Sequence, residues 1–343
     1  MAEPLRIGIV GAGANTRARH IPGLQALEGV EITSVCNRTR ESSRRVADQF
    51  GIPTVYDHWR ELVTAPDTDA IVIGTWPYLH CRVTLAALGA GKHVLCEARM
   101  AMDAAEARAM REAAEVRPHL VAQVVPSPHT LRLDPVIQRL LGEGYLGEVL
   151  AVEVRAGGTL LDRDAPLHWR QDFDLSGYNT LALGIWYEAI LRWVGEATRV
   201  MAAGKTFVRV RRDEQGLPRA VRVPEHVDVV ADLACGAQLH MMVSSVAGLA
   251  GAPEALLFGT EGTLRWSEDR LFGGRRGDSE LREIPIAPEE EGGWRVEADF
   301  VDAIRGVRPV TRTTFQDGVK YMEFTEAVAR SMGTGRAIPL PLW

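Results

Sequence analysis

Short apolar runs alternate with amphipathic segments along the first third of the chain. Leu5–Val10 is a β-branched apolar run of strand length, and Val30–Cys36 alternates apolar and polar residues as a second strand would. The intervening segment, Thr16–Leu27, has the spacing of an amphipathic helix. Further apolar runs at Ala70–Thr75 and His93–Glu97 are again separated by helical segments. The pattern predicts an α/β fold with a doubly wound parallel sheet.

The pattern changes after Val124, where long alternating stretches follow one another with little helix between them. Val200–Arg212 and Val227–Ala234 are two such stretches, whereas Ser176–Gly195 is predicted to form a helix with one apolar face. Successive strands indicate an α+β domain with a large, mostly antiparallel open sheet. We therefore expect two domains, over residues 1–124 and 125–343.

A glycine motif lies between the first strand and the helix that follows it. Gly11 allows a tight turn, and Gly13 lacks a Cβ, so the backbone there can approach a pyrophosphate group. The free N–H groups at the start of the helix then face the anion. Thr16 occupies the third glycine position, which slightly degrades the motif. The context predicts dinucleotide binding at Gly11, Gly13, Ala14, Asn15 and Thr16 in the first domain.

The end of the second strand bears on the type of cofactor. An acidic residue there would bind the adenosine ribose, but this chain has Asn37, Arg38 and Thr39. A guanidinium group suits a 2′-phosphate because it donates two parallel hydrogen bonds. We therefore expect NADP(H) to be preferred, with NAD(H) as the alternative. In the competing interpretation, Arg38 and Arg40 are simply the solvated end of a helix.

Residues at the carboxyl ends of the later strands are candidates for the nicotinamide half of the site, because ligands of such sheets lie at those ends. We assign Thr75, Trp76, His80, Glu97 and Ala98 to cofactor binding.

Composition narrows the choice of partners. The chain has 343 residues and a formal net charge of −6, and it has no basic stripe, so nucleic acid is not an expected partner. No signal pattern and no apolar run of membrane-spanning length occurs, so we expect a cytoplasmic protein without a membrane partner. The four cysteines and nine histidines show no ligand spacing, and no metal is expected.

The chain resembles the Gfo/Idh/MocA oxidoreductases along essentially its whole length. Segments that carry the likeness include IGIVGAG, RHIPGLQAL, DAIVIGTWPYLH, ALGAGKHVLCE, LFGTEGTLR and FVDAIRG. Members usually oxidise or reduce a carbonyl or hydroxyl group of a sugar, inositol, polyol or related small molecule with NAD(H) or NADP(H). The resemblance implies a Rossmann domain followed by a substrate-binding and oligomerisation domain. The exposed face of the second sheet favours a homodimer or homotetramer.

The resemblance also implies three polar catalytic groups, and all three are absent. The family's C-E-K-P segment is CEAR at residues 96–99, with Ala98 at the lysine position. Its D-x-G-x-H segment is ALGIW at residues 182–186, with Ala182 and Trp186 at the polar positions. Reduction of a carbonyl needs a proton donor at the nascent alkoxide, which neither alanine nor tryptophan supplies. The indole instead favours a partly apolar or aromatic substrate.

Other side chains are candidates to replace these groups. The candidates for acid–base chemistry are His129, Tyr187, Glu188 and His168. The candidates for substrate binding are Arg99, Trp169, Arg170, Tyr178 and Trp186. Each also has a structural interpretation, as core packing or as part of a solvated surface.

Three hypotheses remain open at this point. The first is an NAD(P)(H)-dependent oxidoreductase with a non-standard proton donor. The second is a non-redox enzyme, such as a hydratase, lyase or isomerase, that retains a bound dinucleotide. The third is a catalytically silent binding protein.

Overall fold

The computed structural model describes residues 3–342, which form two compact units. The first unit contains the chain up to Pro126 together with Arg295–Val319. The second contains Ser127–Trp294 and the chain from Lys320 onward. The division into domains over residues 1–124 and 125–343 stays a prediction, and these compact units differ from it by including Arg295–Val319 in the first unit.

The first unit is built on a six-stranded sheet in which every pairing is parallel. Its strands are β1 (Leu5–Val10), β2 (Val30–Cys36), β3 (Thr54–Val55), β4 (Ala70–Ile73), β5 (His93–Cys96) and β6 (Ala122–Val124). Their order is β3-β2-β1-β4-β5-β6, so the chain builds the sheet outward from β1 to β3 on one side and then from β4 to β6 on the other. The predicted doubly wound sheet is confirmed, and its switch point lies where β1 and β4 end.

Helices connect these strands. They are α1 (Ile21–Gln25), α2 (Arg40–Phe50), α3 (Trp59–Thr64), α4 (Pro77–Gly89) and α5 (Ala104–Glu115). The single helix predicted over Thr16–Leu27 is instead a π-helical turn, Thr16–His20, that continues into α1. Pro22 has no N–H to donate to the preceding turn, which accounts for the irregular hydrogen bonding at this point.

The returning segment docks onto the first unit by backbone and side-chain bonds. Val124 and Thr313 exchange backbone hydrogen bonds of 3.0 and 3.2 Å beside β6. Helix α9 (Val296–Ile304) brings Glu297 to the ring of His20. These long-range contacts explain why the composition of the segment did not predict its place in the first unit.

The second unit contains a nine-stranded sheet and a separate two-stranded sheet. Its strands are β7 (Val149–Ala156), β8 (Ala197–Lys205), β9 (Val210–Arg212), β10 (Pro218–Ala220), β11 (His226–Leu233), β12 (Gln238–Ser244), β13 (Glu254–Gly259), β14 (Gly262–Ser267), β15 (Arg270–Arg275), β16 (Arg282–Glu283) and β17 (Ile338–Pro339). The large sheet has the order β16-β15-β14-β13-β7-β12-β11-β8-β17. Only β7 and β12 pair in parallel among the described strands of this sheet, so the predicted mostly antiparallel sheet is confirmed.

The helices of the second unit lie mainly between β6 and β8. They are α6 (Asp134–Gly142), α7 (Phe173–Ser176) and α8 (Leu183–Val194), and α10 (Phe315–Thr334) continues into this unit from the first. The single helix predicted over Ser176–Gly195 is wrong at its start. Gly177 has φ 61° and ψ −139°, a conformation open essentially to glycine alone, and it ends α7.

One face of the large sheet is buried and the other is open within the single chain. Alternate residues of β11, such as Val227 and Val229, are buried. Apolar side chains on the other face are exposed, including the paired residues Met201 and Val230. No helix among residues 3–342 is long and apolar enough to cross a membrane.

Candidate functional site

The ends of β1 and β4 approach each other so closely that no side chain fits between them. Gly11 has φ +85°, and a Cβ there would lie 2.6 Å from Cγ2 of Thr75. A Cβ on Gly74 would collide with the hydroxyl of Thr16 and the carbonyl oxygen of Gly11. The Thr16 hydroxyl donates to that same carbonyl at 3.3 Å. Thr16 therefore fits at the third position of the motif because the residue facing it is a glycine.

The turn after β1 is held open towards solvent by Asn37 at the end of β2. The side-chain oxygen of Asn37 accepts from Ala12 N at 2.7 Å, and its amide donates to the carbonyl of Ser42 at 3.1 Å. Gly13, Ala14 and Asn15 are exposed, and helical structure begins at Ala14. The first N–H groups of a helix have no acceptor within it, so they are available to an anion.

An open cavity of about 710 Å³ lies beside this turn. It is lined by Ala12, Arg17, Asn37, Ser42, Arg45, Val46, Asp48 and Gln49. Arg38 is exposed and is not among these lining residues. Thr39 begins α2, since its hydroxyl accepts from Ser42 N at 3.2 Å. The arginines that face this cavity are thus Arg17 and Arg45.

His80 ties together the segments that follow β4 and β5. One ring nitrogen lies 2.9 Å from the carbonyl oxygen of Thr75, and the other lies 2.9 Å from that of Arg99. Burial lowers the pKa of this imidazole, whereas the two carbonyl acceptors act in the opposite direction. Its position supports the loops that carry Thr75, Trp76 and Ala98, which are all half-buried.

Glu97 belongs to a buried chain of charges in the first unit. Its carboxylate lies 3.0 Å from Nε2 of His20, and it also accepts from the Asn15 amide. The other His20 nitrogen lies 2.6 Å from Glu297. Burial opposes the charge on His20, but the hydrogen bonds to Glu297 and Glu97 outweigh it and raise its pKa to about 9. Burial likewise opposes ionisation of Glu97, but the bond to His20 lowers the pKa of that carboxyl.

The second unit places one predicted acid–base residue, His129, against the indole of Trp186. The exposed ring of His129 stacks on Trp186 with centroids 5.4 Å apart and an interplanar angle of 20°. Trp186 is buried and meets Trp266 edge to face at 5.3 Å. An imidazole that rests on a rigid indole has a defined position and remains accessible to solvent and ligand.

Tyr187 and Glu188 point away from this stack, because successive residues of a helix face different directions. The Tyr187 ring is buried and stacks on Phe324 at 3.7 Å, and its hydroxyl accepts from Ala197 N at 2.8 Å. Burial raises the pKa of Tyr187 well above its usual range. Both oxygens of Glu188 accept from Ser127 N at 3.1 Å. These partners favour structural roles for both side chains.

The segment 168–170 forms a separate exposed cluster in the second unit. The guanidinium of Arg170 lies 4.1 Å from the ring centroid of Trp169. His168 caps the short turn that follows it, accepting from Arg170 N at 3.3 Å, and partial burial lowers its pKa. Tyr178 packs edge to face on Phe173 at 5.2 Å. Arg99, in the first unit, is buried.

Three residues of the site were missed by sequence reasoning. Gly74, His20 and Glu297 each act through a partner far away in the chain. The signal for His20 was present, since RHIPGLQAL was part of the family resemblance, but nothing local shows that its ring meets two carboxylates. Within residues 3–342, no group of three or more His, Cys, Asp or Glu side chains is arranged to hold a metal ion.

A glycine turn at the switch point of a parallel sheet, followed by an α+β unit with an open sheet, defines a two-domain dinucleotide-binding oxidoreductase scaffold. The profile "Oxidoreductase family, NAD-binding Rossmann fold" matches residues 5–124, and the "GFO/IDH/MocA C-terminal domain" matches residues 136–265. The chain belongs to the GFO/IDH/MocA family, as the sequence predicted.

Relatives with named activities share about a quarter of the sequence. Levoglucosan dehydrogenase of Pseudarthrobacter phenanthrenivorans is 25% identical, covering 88% of this chain and 87% of the relative. Trans-1,2-dihydrobenzene-1,2-diol dehydrogenase of Bos taurus is 29% identical, covering 84% and 82%. A structure of levoglucosan dehydrogenase with NADH and L-sorbose superposes with a TM-score of 0.87 at 23% identity, covering 98% of this chain and 99% of that one. The structural likeness establishes the shared fold.

Gly74→Ala should disrupt the cofactor turn. The added methyl group collides with backbone at Gly11, which cannot rotate away, so we expect a loss of about 1–3 kcal/mol in the free energy of unfolding. Affinity for the dinucleotide should fall with it. Chemical denaturation and nucleotide titration measure the two effects. The matched control is Gly89→Ala at the end of α4, where a Cβ meets nothing within 4 Å; equal behaviour of the two variants would contradict the assignment.

The His20 charge chain should make stability depend on pH. Since the folded-state pKa is raised to about 9 from an ordinary value near 6.5, the stabilisation is fully present below about pH 6.5 and is lost as the pH rises through about 9. We expect His20→Gln to destabilise the protein by roughly 1–3 kcal/mol at pH 6.5 and by less at pH 9.5. Thermal unfolding across this range measures it, with exposed His119→Gln as the control. A His20→Gln difference that does not change with pH would refute the charged state of His20.

Proposed function

We propose that the protein is an NAD(P)(H)-dependent dehydrogenase or reductase that uses His129 as its proton donor and acceptor. The carrying observation is the stack of His129 on Trp186, the residue at the family's histidine position. The imidazole occupies the surface next to that position, although it comes from a loop instead of from helix α8. Among the predicted acid–base residues, it combines exposure with a fixed position, whereas Tyr187 and Glu188 are enclosed.

The first unit fits a dinucleotide. The turn has no side chain at Gly11 or Gly13, and a Cβ on Gly13 would meet only Gly74 O at 3.4 Å, so the space in front of the backbone N–H groups is open to phosphate. Gly13, Ala14 and Asn15 would hold the pyrophosphate, and Thr75, Trp76 and Glu97 would line the nicotinamide half. When bound, the nicotinamide ring accepts or supplies the hydride.

The residues of the second unit have the complementary task of moving a proton. During oxidation of an alcohol, the neutral imidazole of His129 takes the hydroxyl proton as the carbinol carbon loses its hydride, which leaves a carbonyl and an imidazolium. In reduction, the imidazolium returns that proton to the nascent alkoxide. A histidine side chain can both accept and donate a proton near neutral pH, so one residue can serve both directions.

The substrate class that we propose is a small, partly apolar or aromatic alcohol or carbonyl compound. The Trp169–Arg170 pair supplies a flat apolar ring with a cation 4.1 Å from its centroid. The bovine relative is named for a dihydrobenzene diol, and a relative from Sphingobium sp., 32% identical over 42% of this chain, is named 4-carboxy-2-hydroxymuconate-6-semialdehyde dehydrogenase. Arg99 and Tyr178 remain proposed substrate-binding residues.

A second candidate function is a non-redox reaction, such as hydration or elimination, with a retained dinucleotide. The observation that favours it is the replacement of all three usual catalytic groups by Ala98, Ala182 and Trp186. Nucleotide that stays bound through purification, without a change of redox state during turnover, would support this candidate. A protein that binds nucleotide but turns over neither class of substrate would be a binding protein.

The open face of the large sheet supports a homodimer or homotetramer. Met201 and Val230 pair across β8 and β11 and are exposed on the open face of the sheet. A second copy of the chain would remove this apolar surface from water.

Titration with NADPH and NADH tests the cofactor proposal. We expect NADPH to bind in the micromolar range and NADH about tenfold more weakly, because Asn37 does not repel a 2′-phosphate and Arg38 can pair with it. Arg38→Ala should reduce that difference, whereas Arg40→Ala, whose guanidinium pairs with Asp57, should preserve it. Equal binding of both nucleotides would remove the NADP preference. Failure to bind either would overturn the dehydrogenase proposal.

His129→Gln tests the proton donor. On the cyclic or aromatic diol, or the aldehyde, that a substrate screen identifies, we expect kcat to fall by roughly 10²–10⁴-fold, with little change in nucleotide affinity. The limb of the kcat–pH profile that reports the titration of this group should disappear with it. His119→Gln, an exposed histidine of the first unit, is the control. If His129→Gln retains kcat and the pH profile, another group carries the proton.

A further inference from the structure

A network of buried charges on α8 holds the loop that carries His129. Ser127 N lies 3.1 Å from each oxygen of Glu188. Arg192, one turn further along α8, donates a hydrogen bond of 2.7 Å to the carboxylate of Glu188 and another of 3.0 Å to the hydroxyl of Thr130. Its Nε lies 2.9 Å from Asp134, where α6 begins. The helix therefore holds the chain on both sides of His129.

The anchor on the N-terminal side uses the one backbone donor that this stretch offers. Pro126 and Pro128 have no N–H group, so the N–H of Ser127 is the single backbone donor of residues 126–128. Both prolines also restrict the backbone, which limits the conformations of the loop before any contact forms. The carboxylate of Glu188 accepts the hydrogen bond from Ser127 N. Hydrogen bonds to ionised acceptors are about twice as strong as those between neutral groups.

The network is almost entirely removed from water. The side chains of Asp134, Glu188 and Arg192 are 0%, 2% and 11% exposed. The indole Nε1 of Trp193 donates a hydrogen bond of 2.8 Å to Asp134. Burying charges is costly compared with packing apolar side chains of similar volume, so such a network adds little net stability. What it supplies is a fixed geometry, because Ser127 N, the Thr130 hydroxyl and Asp134 are each hydrogen-bonded to a side chain of α8.

The same helix presents Trp186, on which the imidazole rests. Helix α8 thus provides both the surface beneath His129 and the anchors of its loop, and the ring is fixed relative to one rigid element. We propose that Glu188 and Arg192 are positioning residues that hold the imidazole of His129 on Trp186. The consequence for catalysis rests on the function proposed above, but the positioning itself can be measured without a substrate.

The test follows the imidazole by NMR in protein labelled at Cε1 of its nine histidines. The His129 signal is the one lost in His129→Gln, and in the unchanged protein we expect it upfield because its ring lies over an indole. Glu188→Gln should move that signal towards the position of an exposed histidine. Arg192→Lys keeps the positive charge but loses the planar guanidinium that donates to two partners at once, and it should move the His129 signal less. The control is Glu143→Gln, at the residue that follows α6. It breaks the exposed ion pair of Glu143 with Arg139, which has the same i,i+4 spacing, and should leave the His129 signal unchanged.

An unchanged His129 signal in folded Glu188→Gln protein would overturn the proposal. If that variant does not fold, Thr130→Val removes one anchor at nearly constant volume and replaces it in the test. Turnover separates this inference from the function on which it rests. A fall in kcat of about tenfold or more with a displaced signal supports both. A displaced signal with unchanged kcat supports the positioning role but refutes His129 as the proton donor. If instead His129→Gln loses kcat while the His129 signal in Glu188→Gln does not move, His129 stays the proton donor and the positioning role is refuted.

Discussion

The close approach of the two chain segments that follow the parallel strands β1 and β4 is the constraint on which the cofactor half of the molecule depends. Two backbones meet there without room for a side chain at Gly11 or Gly74, and the hydroxyl of Thr16 fills the remaining space. This contact sets where the first helix starts relative to the sheet. It also directs the exposed N–H groups towards the switch point of the strand order, where an open parallel sheet binds its ligand.

The sequence predicted the elements of the fold better than their long-range partners. Apolar periodicity located the parallel strands and the antiparallel sheet, because burial of one or both faces imposes that pattern directly. It could not show that Gly74 compensates for Thr16, or that Glu297 returns to His20, since these contacts join distant segments. The break at Gly177 was also missed, because an apolar stripe continues across a residue whose left-handed backbone ends the helix.

The predicted acid–base residues show a similar limit. Tyr187 and Glu188 are acid–base candidates because they are next to Trp186 in the sequence. Successive residues of a helix face different directions, however, so the three side chains lie in different surroundings. His129 lies 57 positions from Trp186 in the chain, yet its ring touches the indole. The charged residues Glu188 and Arg192 of helix α8 are bonded to the loop that carries His129.

The construction of the first unit from two separate stretches has a consequence for synthesis. Glu97 and His20 lie in the first stretch, whereas Glu297 belongs to the second, and the whole second-unit segment is made between them. At ribosomal rates of about 5–20 residues per second, the carboxylate that completes this buried chain emerges roughly 10–40 s after Glu97. Until then, the nascent chain exposes an unfinished nucleotide fold. The cofactor half is thus completed late in translation, although most of its residues are made first.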